Sequence, residues 1–176
     1  HSNRQFLAYY SADRVMTLAQ RELHTNAWRF VELPSTLGWD SHNYVTLALD
    51  NEGLLHVAGN MHCVPLVYFR GEKPLDIASL APLHRMTGER EKRVTYPRFL
   101  TGPDGALLFT YRDGGSGNGS TLWNRYDGVS RTWSRLMDEP LFDGEGKIKA
   151  YPHGPVRGPA GCSYLPWVWR ATPACA

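Results

Sequence analysis

Short runs of β-branched and aromatic residues alternate with polar positions along the chain, and turn formers separate them at regular intervals. Almost no window places apolar residues at i, i+3, i+4 and i+7 over three turns, so the pattern predicts an all-β protein. The main exception is "PLDIASLAPLHRMTGEREKR", residues 74–93, a polar stretch broken by proline that has room for a helical turn and reads mainly as a long connection. The opening "FLAYYSADRVMTLAQRELHTNAWRFVELP" predicts two strands joined by a polar turn and closed by a tryptophan.

A repeat emerges when the glycine of each turn is used as an anchor. "DNEGLLHVAGNMH", "GPDGALLFTYRDG" and "GPAGCSYLPWVWR" carry Gly53, Gly105 and Gly161, which lie 52 and 56 residues apart, and an alternating strand follows each. Each period holds a second unit with an aromatic turn, as in "VYFRGEKP" and "NRYDGVSRTWSRL". Multi-stranded units with a period of roughly 40–50 residues are what propeller blades give. Residues 1–176 are therefore expected to form one domain, a partial β-propeller of about three to four blades. "WVWR" is expected to stop without a hairpin partner, which would leave a sheet edge open and point to a longer parent chain.

Composition narrows the function classes. With 42% hydrophobic and 12% aromatic residues among 176, the chain can bury a core, and a net charge of +2 from dispersed basic residues gives no nucleic-acid surface. The apolar runs are far shorter than the roughly 20 residues of a membrane-spanning helix. Cys63, Cys162 and Cys175 form neither a metal-binding spacing nor a disulfide framework, and are read as small thiols. Most of the aromatic residues Trp39, Tyr68, Trp123, Trp133, Trp167 and Trp169 are expected in the core.

Candidate chemistry starts with two histidines. In "LLHVAGNMH" a continuous strand would put His56, Ala58, Asn60 and His62 on one polar face. His42 precedes the partner strand "YVTLALD", so a hairpin turning at "DNEG" brings His42 and His62 to the same end of a sheet, near Asp40, Asn43 and Asn60. Such a cluster can exchange protons near neutrality and hold anionic oxygens. By the same hairpin logic Tyr96 of "TYP" and Arg112 of "FTYR" share an end of their unit. "RDGGSGNG" lacks the lysine and helix of a phosphate loop; its glycines allow close backbone approach, and Asn118 is available for hydrogen bonds. "WVWR" repeats the aromatic-then-arginine ending, which directs Arg170 toward the same funnel.

The run "DSHNYVTLALDNEGLLHVAGNMHCVPLVYFR", followed by "MTGEREKRVTYPRF", "DGALLFTYRDGGSGNG", "NRYDGVSRTWSRL" and "WVWR", resembles the BNR-4 repeat family over residues 6 to about 172. That family includes β-propeller polysaccharide lyases, among them ulvan lyases and rhamnose–glucuronate lyases. The resemblance implies a ring of about seven blades, a secreted or periplasmic location and an acidic polysaccharide as partner. It also implies catalytic roles for His42 and His62, and for Tyr96 and Arg112, with Tyr111 a rival for the tyrosine role. Asn43, Asn60, Tyr111, Asn118 and Arg170 are the expected substrate-binding residues. Ala160 and Pro166 depart from the pattern and put the last unit in doubt.

The residue types suit β-elimination independently. An arginine fork can neutralise a uronate carboxylate while a base removes the C5 proton and an acid protonates the leaving oxygen. The base and acid are left open among His42, Tyr96 and His62. The scheme requires no cofactor; a structural metal ion is compatible with it but not indicated. A hydrolase of sialidase or rhamnosidase type would need paired carboxylates, from Asp40, Asp50, Asp104 or Asp113, or a tyrosine nucleophile. A carbohydrate-binding propeller fragment without turnover is the third reading.

Overall fold

A computed structural model describes residues 3–170, and it is all-β. β1 (Arg4–Tyr10), β2 (Val15–Glu22) and β3 (Arg29–Thr36) form a three-stranded antiparallel sheet, so the opening segment holds three strands rather than two. The second sheet has the order β4 (Val45–Leu49), β5 (Leu55–Gly59), β7 (Tyr68–Gly71), β8 (Leu80–Pro82). Between them in the chain, β6 (His62–Val64) leaves this sheet and joins the third, whose order is β12 (Thr132–Arg135), β11 (Ser120–Asp127), β10 (Leu107–Asp113), β9 (Val94–Thr101), β6.

Two short pairs follow. β13 (Lys149–Pro152) pairs with β16 (Trp167–Arg170), and β14 (Val156–Arg157) pairs with β15 (Ser163–Tyr164). The strand "WVWR" thus has a partner in β13, contrary to the expectation. The anticipated connection at residues 74–93 contains one 3-10 turn (Ile77–Ser79) and β8. No helix among the described residues is long and apolar enough to cross a membrane.

The anchor glycine of the repeat has a backbone reason. Gly53 closes the turn between β4 and β5 at φ 80°, a conformation open to glycine at little cost, and Gly105 and Gly161 share it at 81° and 76°. Asp50 completes that turn by accepting from the N–H groups of Glu52 (3.0 Å) and Leu54 (2.8 Å).

The second sheet is buried on both faces, which is why β5 has no solvent side. Leu55, Val57 and Phe69 pack with Met16, Leu18, Leu33 and Ile77 toward the first sheet, while Ala58 and Tyr68 pack toward Phe109, Leu122, Tyr126 and Trp133 of the third. Strand alternation therefore divides residues between two cores rather than between core and water. The expected polar face of β5 is corrected accordingly: His56 is fully buried, and the strand ends before Asn60.

His56 is satisfied there by Tyr68 Oη at 2.7 Å and by Asp50 Oδ2 at 3.3 Å, with the Tyr126 ring edge-on at 4.6 Å. Trp133 Nε1 donates to the same Tyr68 hydroxyl (3.1 Å), closing a polar chain across the interface between sheets. Of the aromatic residues expected inside, Tyr68, Trp123 and Trp133 are buried, but Trp39 is 90% exposed and Trp167 and Trp169 are about half exposed (48% and 47%). Cys63 and Cys162 are free thiols, and Cys175 lies outside the described residues.

Burial lowers the His56 pKa, opposed by Asp50, so the folded state holds the ring neutral where an unfolded chain would begin to protonate it. Stability from this group is complete above the unfolded value near 6.5 and is lost as pH falls from there toward the folded value. Thermal melts between pH 7.5 and 5 are expected to show a falling midpoint. His56→Ala should flatten that slope, and at pH 7.5 it should cost roughly 2–4 kcal/mol for the cavity and the lost hydrogen bonds.

Candidate functional site

The chain passes from the second sheet to the third within three residues. Asn60 takes a left-handed φ of 58°, Met61 is buried with no exposed surface, and His62 pairs with Thr95 of β9. His62 therefore reaches the site from the neighbouring sheet, not from the end of the β4–β5 hairpin. His42 arrives from the loop before β4, where Asp40 accepts from the His42 backbone N–H at 2.9 Å.

The same carboxylate holds both imidazoles. Asp40 Oδ1 lies 2.5 Å from His42 Nδ1, and Oδ2 lies 2.5 Å from His62 Nδ1. The two rings stack with centroids 4.0 Å apart and planes 18° from parallel. Hydrogen bonds from the His42 backbone, then from the two side chains, hold the Asp40 carboxyl well below the usual carboxylate range. An ionised Asp40 can only accept, so each Nδ1 donates, and in the neutral ring this leaves Nε2 as the acceptor. About a third of each imidazole side chain is exposed (34% and 35%), which leaves them accessible.

Tyr96 sits at a β-bulge. The β9–β10 register shifts between Thr110 and Arg112, and Tyr96 adopts φ 58° there. A second irregularity falls at Cys63, with φ 55°, between His62 and Val64. Asn60, Cys63 and Tyr96 are thus three non-glycine residues in the left-handed region within one site, a costly backbone retained where side chains must be aimed off the regular pleat.

The bulge puts the Tyr96 ring 5.6 Å from His42 on one side, with the Arg112 guanidinium 4.9 Å from its centroid on the other. Burial raises the Tyr96 pKa, with Arg112 pulling against it. Arg112 is only 3% exposed; its Nη2 donates to Thr95 Oγ1 (3.0 Å) and Cys63 Sγ (3.4 Å), and its Nε is buried without a hydrogen-bond partner among the described residues. Gly119 makes room for this side chain: a β-carbon there would stand 2.8 Å from Arg112 Cγ. That is the close approach for which "RDGGSGNG" supplies glycines.

A cleft of about 480 Å³ opens beside Tyr96 and Arg112, lined also by Tyr44, Arg98, Lys149 and Tyr151. A neighbouring recess is lined by Asp40, Asn43, Asn60 and His62. The four residues expected to be catalytic are thereby brought together as a chain of contacts from His62 through His42 and Tyr96 to Arg112.

The expected binding residues divide. Asn43 lines the recess, and its Oδ1 is buried without a partner among the described residues. Arg170 reaches the cleft indirectly, 5.4 Å over the Tyr151 ring. Asn60 spends its amide on Ser35 Oγ (3.0 Å) and Thr36 O (2.9 Å), which ties the crossing to β3. Tyr111 borders the cleft but is 1% exposed in the core, its hydroxyl engaged by Arg135 (3.2 Å). Asn118 closes its own turn by accepting from the Gly115 N–H (3.1 Å) and does not line the cleft.

Sequence reasoning did not single out Tyr44, Lys149 or Tyr151. The signal for the tyrosines was present: Tyr44, Tyr96 and Tyr151 recur 52 and 55 residues apart, the first just before β4 and the others near the starts of β9 and β13.

Asp40, His42 and His62 offer three metal-ligating atoms within 4.8 Å of one another. Near-parallel rings aim their Nδ1 atoms along separate planes at the carboxylate, so a shared ion would require one ring to turn.

An all-β chain built from recurring strand units with turn glycines at matching places is of the β-repeat class. The family model described as "BNR repeat-containing family member" matches residues 4–176, and the chain belongs to that family. Among curated relatives, the long-isoform ulvan lyase of Pseudoalteromonas sp. (strain PLSV) is 52% identical over 61 residues, 35% of this chain and 6% of that protein. The short-isoform ulvan lyase of Alteromonas sp. (strain LOR) is 40% identical over 74 residues, 39% of this chain and 14% of that one. The matched segments thus span a small part of these relatives.

The crystal structure of polysaccharide lyase Uly1 superposes with a TM-score of 0.75 at 19% identity, over 87% of this chain and 44% of that one. A PL25 ulvan lyase bound to -[GlcA(1-4)Rha3S]- superposes at 0.67 with 13% identity, over 96% and 43%. These establish the shared fold.

If Asp40 fixes both tautomers, ¹⁵N spectra of imidazole-labelled protein should report Nδ1–H for His42 and His62. Asp40→Ala should move both toward the Nε2–H form that free imidazoles favour. Unchanged spectra in the variant would sink the clamp.

Proposed function

We propose that this chain carries the catalytic groups of a polysaccharide lyase that cleaves a uronate-containing polymer by β-elimination. The observation that carries the reading is the contact chain His62–His42–Tyr96–Arg112, whose Tyr96–Arg112 end lines the cleft and whose His62 end lines the neighbouring recess, with Asp40 holding both imidazoles. Support also comes from the ulvan lyase relatives and from the relative whose structure holds a GlcA–Rha3S oligosaccharide. We take the successive sheets as consecutive blades of one β-propeller domain, with the cleft on the face where their first strands begin.

In this reading Arg112 neutralises the uronate carboxylate, which lowers the cost of forming the carbanion at C5. His42 takes the C5 proton on Nε2, because Asp40 occupies Nδ1 as acceptor, and the imidazolium that forms is stabilised by that carboxylate. The C4–O bond then breaks, a C4=C5 double bond forms, and Tyr96 gives its phenolic proton to the leaving oxygen. Burial favours the phenol over the phenolate, which suits a donor at neutral pH. His62, stacked on His42 and bound to the same carboxylate, positions the base.

For the hydrolytic reading, the four candidate aspartates offer no free carboxylate pair among the described residues. Asp50 is buried on His56 and its turn, Asp104 pairs with Arg125 at 2.6 Å, Asp113 with Arg90 at 2.9 Å, and both Asp40 oxygens are taken by histidines. A polymeric substrate is consistent with action outside the cell.

Incubation with ulvan and with gum arabic should generate the ultraviolet absorbance of an unsaturated uronate. His42→Ala and Tyr96→Phe should each lower the rate by roughly 10²–10⁴-fold. Arg112→Lys should lower it as well, because an ammonium cannot reproduce the fork. New reducing ends without that absorbance would mean hydrolysis and overturn the reading.

A further inference from the structure

Lys149 is the buried charge that the scheme above leaves unused. It lies on β13, is 1% exposed, and lines the same cleft as Arg112. Among the described residues its ammonium makes one hydrogen bond, to the neutral Thr121 Oγ1 at 3.0 Å, and no ion pair. Arg112 is in the same condition, with neutral partners and an unsatisfied Nε. Two adjacent buried basic groups in no ion pair among the described residues are costly to the fold, and an anion drawn between them would offset that cost.

We propose that Lys149 is a substrate-binding residue, the second cation of a two-cation site in which it and Arg112 together hold the carboxylate of a uronate residue. The inference rests on the lyase reading for the identity of the sugar, but binding is separable from turnover. Arg112 contributes a planar fork and Lys149 a point charge, so the carboxylate is gripped from two directions.

Desolvation, followed by repulsion from Arg112, pushes the Lys149 pKa down to about 7, with Asp113 and Asp143 pulling against both. At pH 8 the empty site therefore holds much of its lysine neutral, and an arriving carboxylate should draw a proton onto it. The groups facing Lys149 are Arg112 and Asp113 from β10, Thr121 from β11 and Asp143 from the preceding loop. Tyr96, Tyr151 and His153 line the cleft with it.

Isothermal titration of the chain at pH 8 with a glucuronate–rhamnose oligosaccharide, in two buffers of different ionisation heat, tests this directly. A carboxyl-reduced oligosaccharide and a sulfated neutral one serve as the other arms. Wild type should bind the uronate with proton uptake and should bind the other two at least ten-fold more weakly. Lys149→Met should raise the Kd for the uronate by at least ten-fold, abolish proton uptake, and leave the carboxyl-reduced sugar within two-fold.

Removing a lysine that must give up its proton to stay buried at pH 8 should also raise Tm by roughly 5 °C, which separates lost binding from lost folding. Lys149→Arg should recover part of the affinity without proton uptake. A uronate Kd within two-fold of wild type in folded Lys149→Met overturns the proposal, as does uptake that persists in the variant, which would assign it to His153 or another group. Preference for the sulfated sugar, or no binding by wild type, overturns it too. Binding that follows the expected pattern without elimination product would sustain Lys149 and sink the lyase reading.

Discussion

The crossing from Gly59 to His62 is the constraint on which the site depends. One left-handed residue, Asn60, ends β5; its backbone N–H donates to Tyr44 O at 3.1 Å, and its amide fastens the turn to Ser35 and Thr36 of the first sheet. The next residue, Met61, is driven into the core between the second and third sheets, and the one after it begins pairing with β9. A regular strand would alternate sides here and keep His62 in register with β4. Three residues thus join three sheets, and the rigidity of that joint lets a histidine from one sheet stack on a histidine from the loop of another.

The charges at the site are separated rather than paired. Asp40 stands at one end with both oxygens committed to imidazoles, and Arg112 and Lys149 stand at the other, hydrogen-bonded to neutral partners and in no ion pair among the described residues. Tyr96 lies between, within reach of His42 and under the guanidinium. A direct Asp–Arg pair would be the lower-energy state of an empty protein, and it would leave neither a fixed tautomer nor a receptive cation. The two bulges, at Cys63 and Tyr96, are the backbone deviations that keep the ends apart, and their cost is met by the well-packed sheets on either side.

Much of this was legible in the chain. Alternation and turn glycines read as β structure because Gly53 and its counterparts do sit in the left-handed turns that only such spacing allows. The pairing of His42 with His62, and of Tyr96 with Arg112, followed from hairpin closure, although His62 reaches its place by changing sheets. What misled was the assumption of one wet face. A sheet covered on both sides turns every alternate residue inward, so His56 became a core residue and Tyr111 lost its access to ligand. Asn60 and Asn118 are polar for the sake of their own turns, a use that local sequence does not distinguish from ligand binding. Lys149 was hidden because "GKIK" reads as solvated charge, and its burial depends on Thr121 and the strand beneath it, contacts that only the tertiary structure reveals.

The repeat explains how such a site is assembled. Tyr96 and Tyr151 are each the third residue of a strand, β9 and β13, and each carries an arginine over its ring, Arg112 at 4.9 Å and Arg170 at 5.4 Å. A tyrosine–arginine unit is therefore present twice, with the rings 6.5 Å apart and edge to face. Tyr44 lies just before β4 with no arginine stacked on its ring among the described residues, and the Asn60 turn bonded to its carbonyl releases the chain toward His62. The same structural position thus yields a sheet crossing in one repeat and a cation over a phenol in the next two. His42 comes from the loop before the second sheet, His62, Tyr96 and Arg112 from the third, and Lys149 and Tyr151 from the strand pair after it, so no single repeat contains the whole cluster.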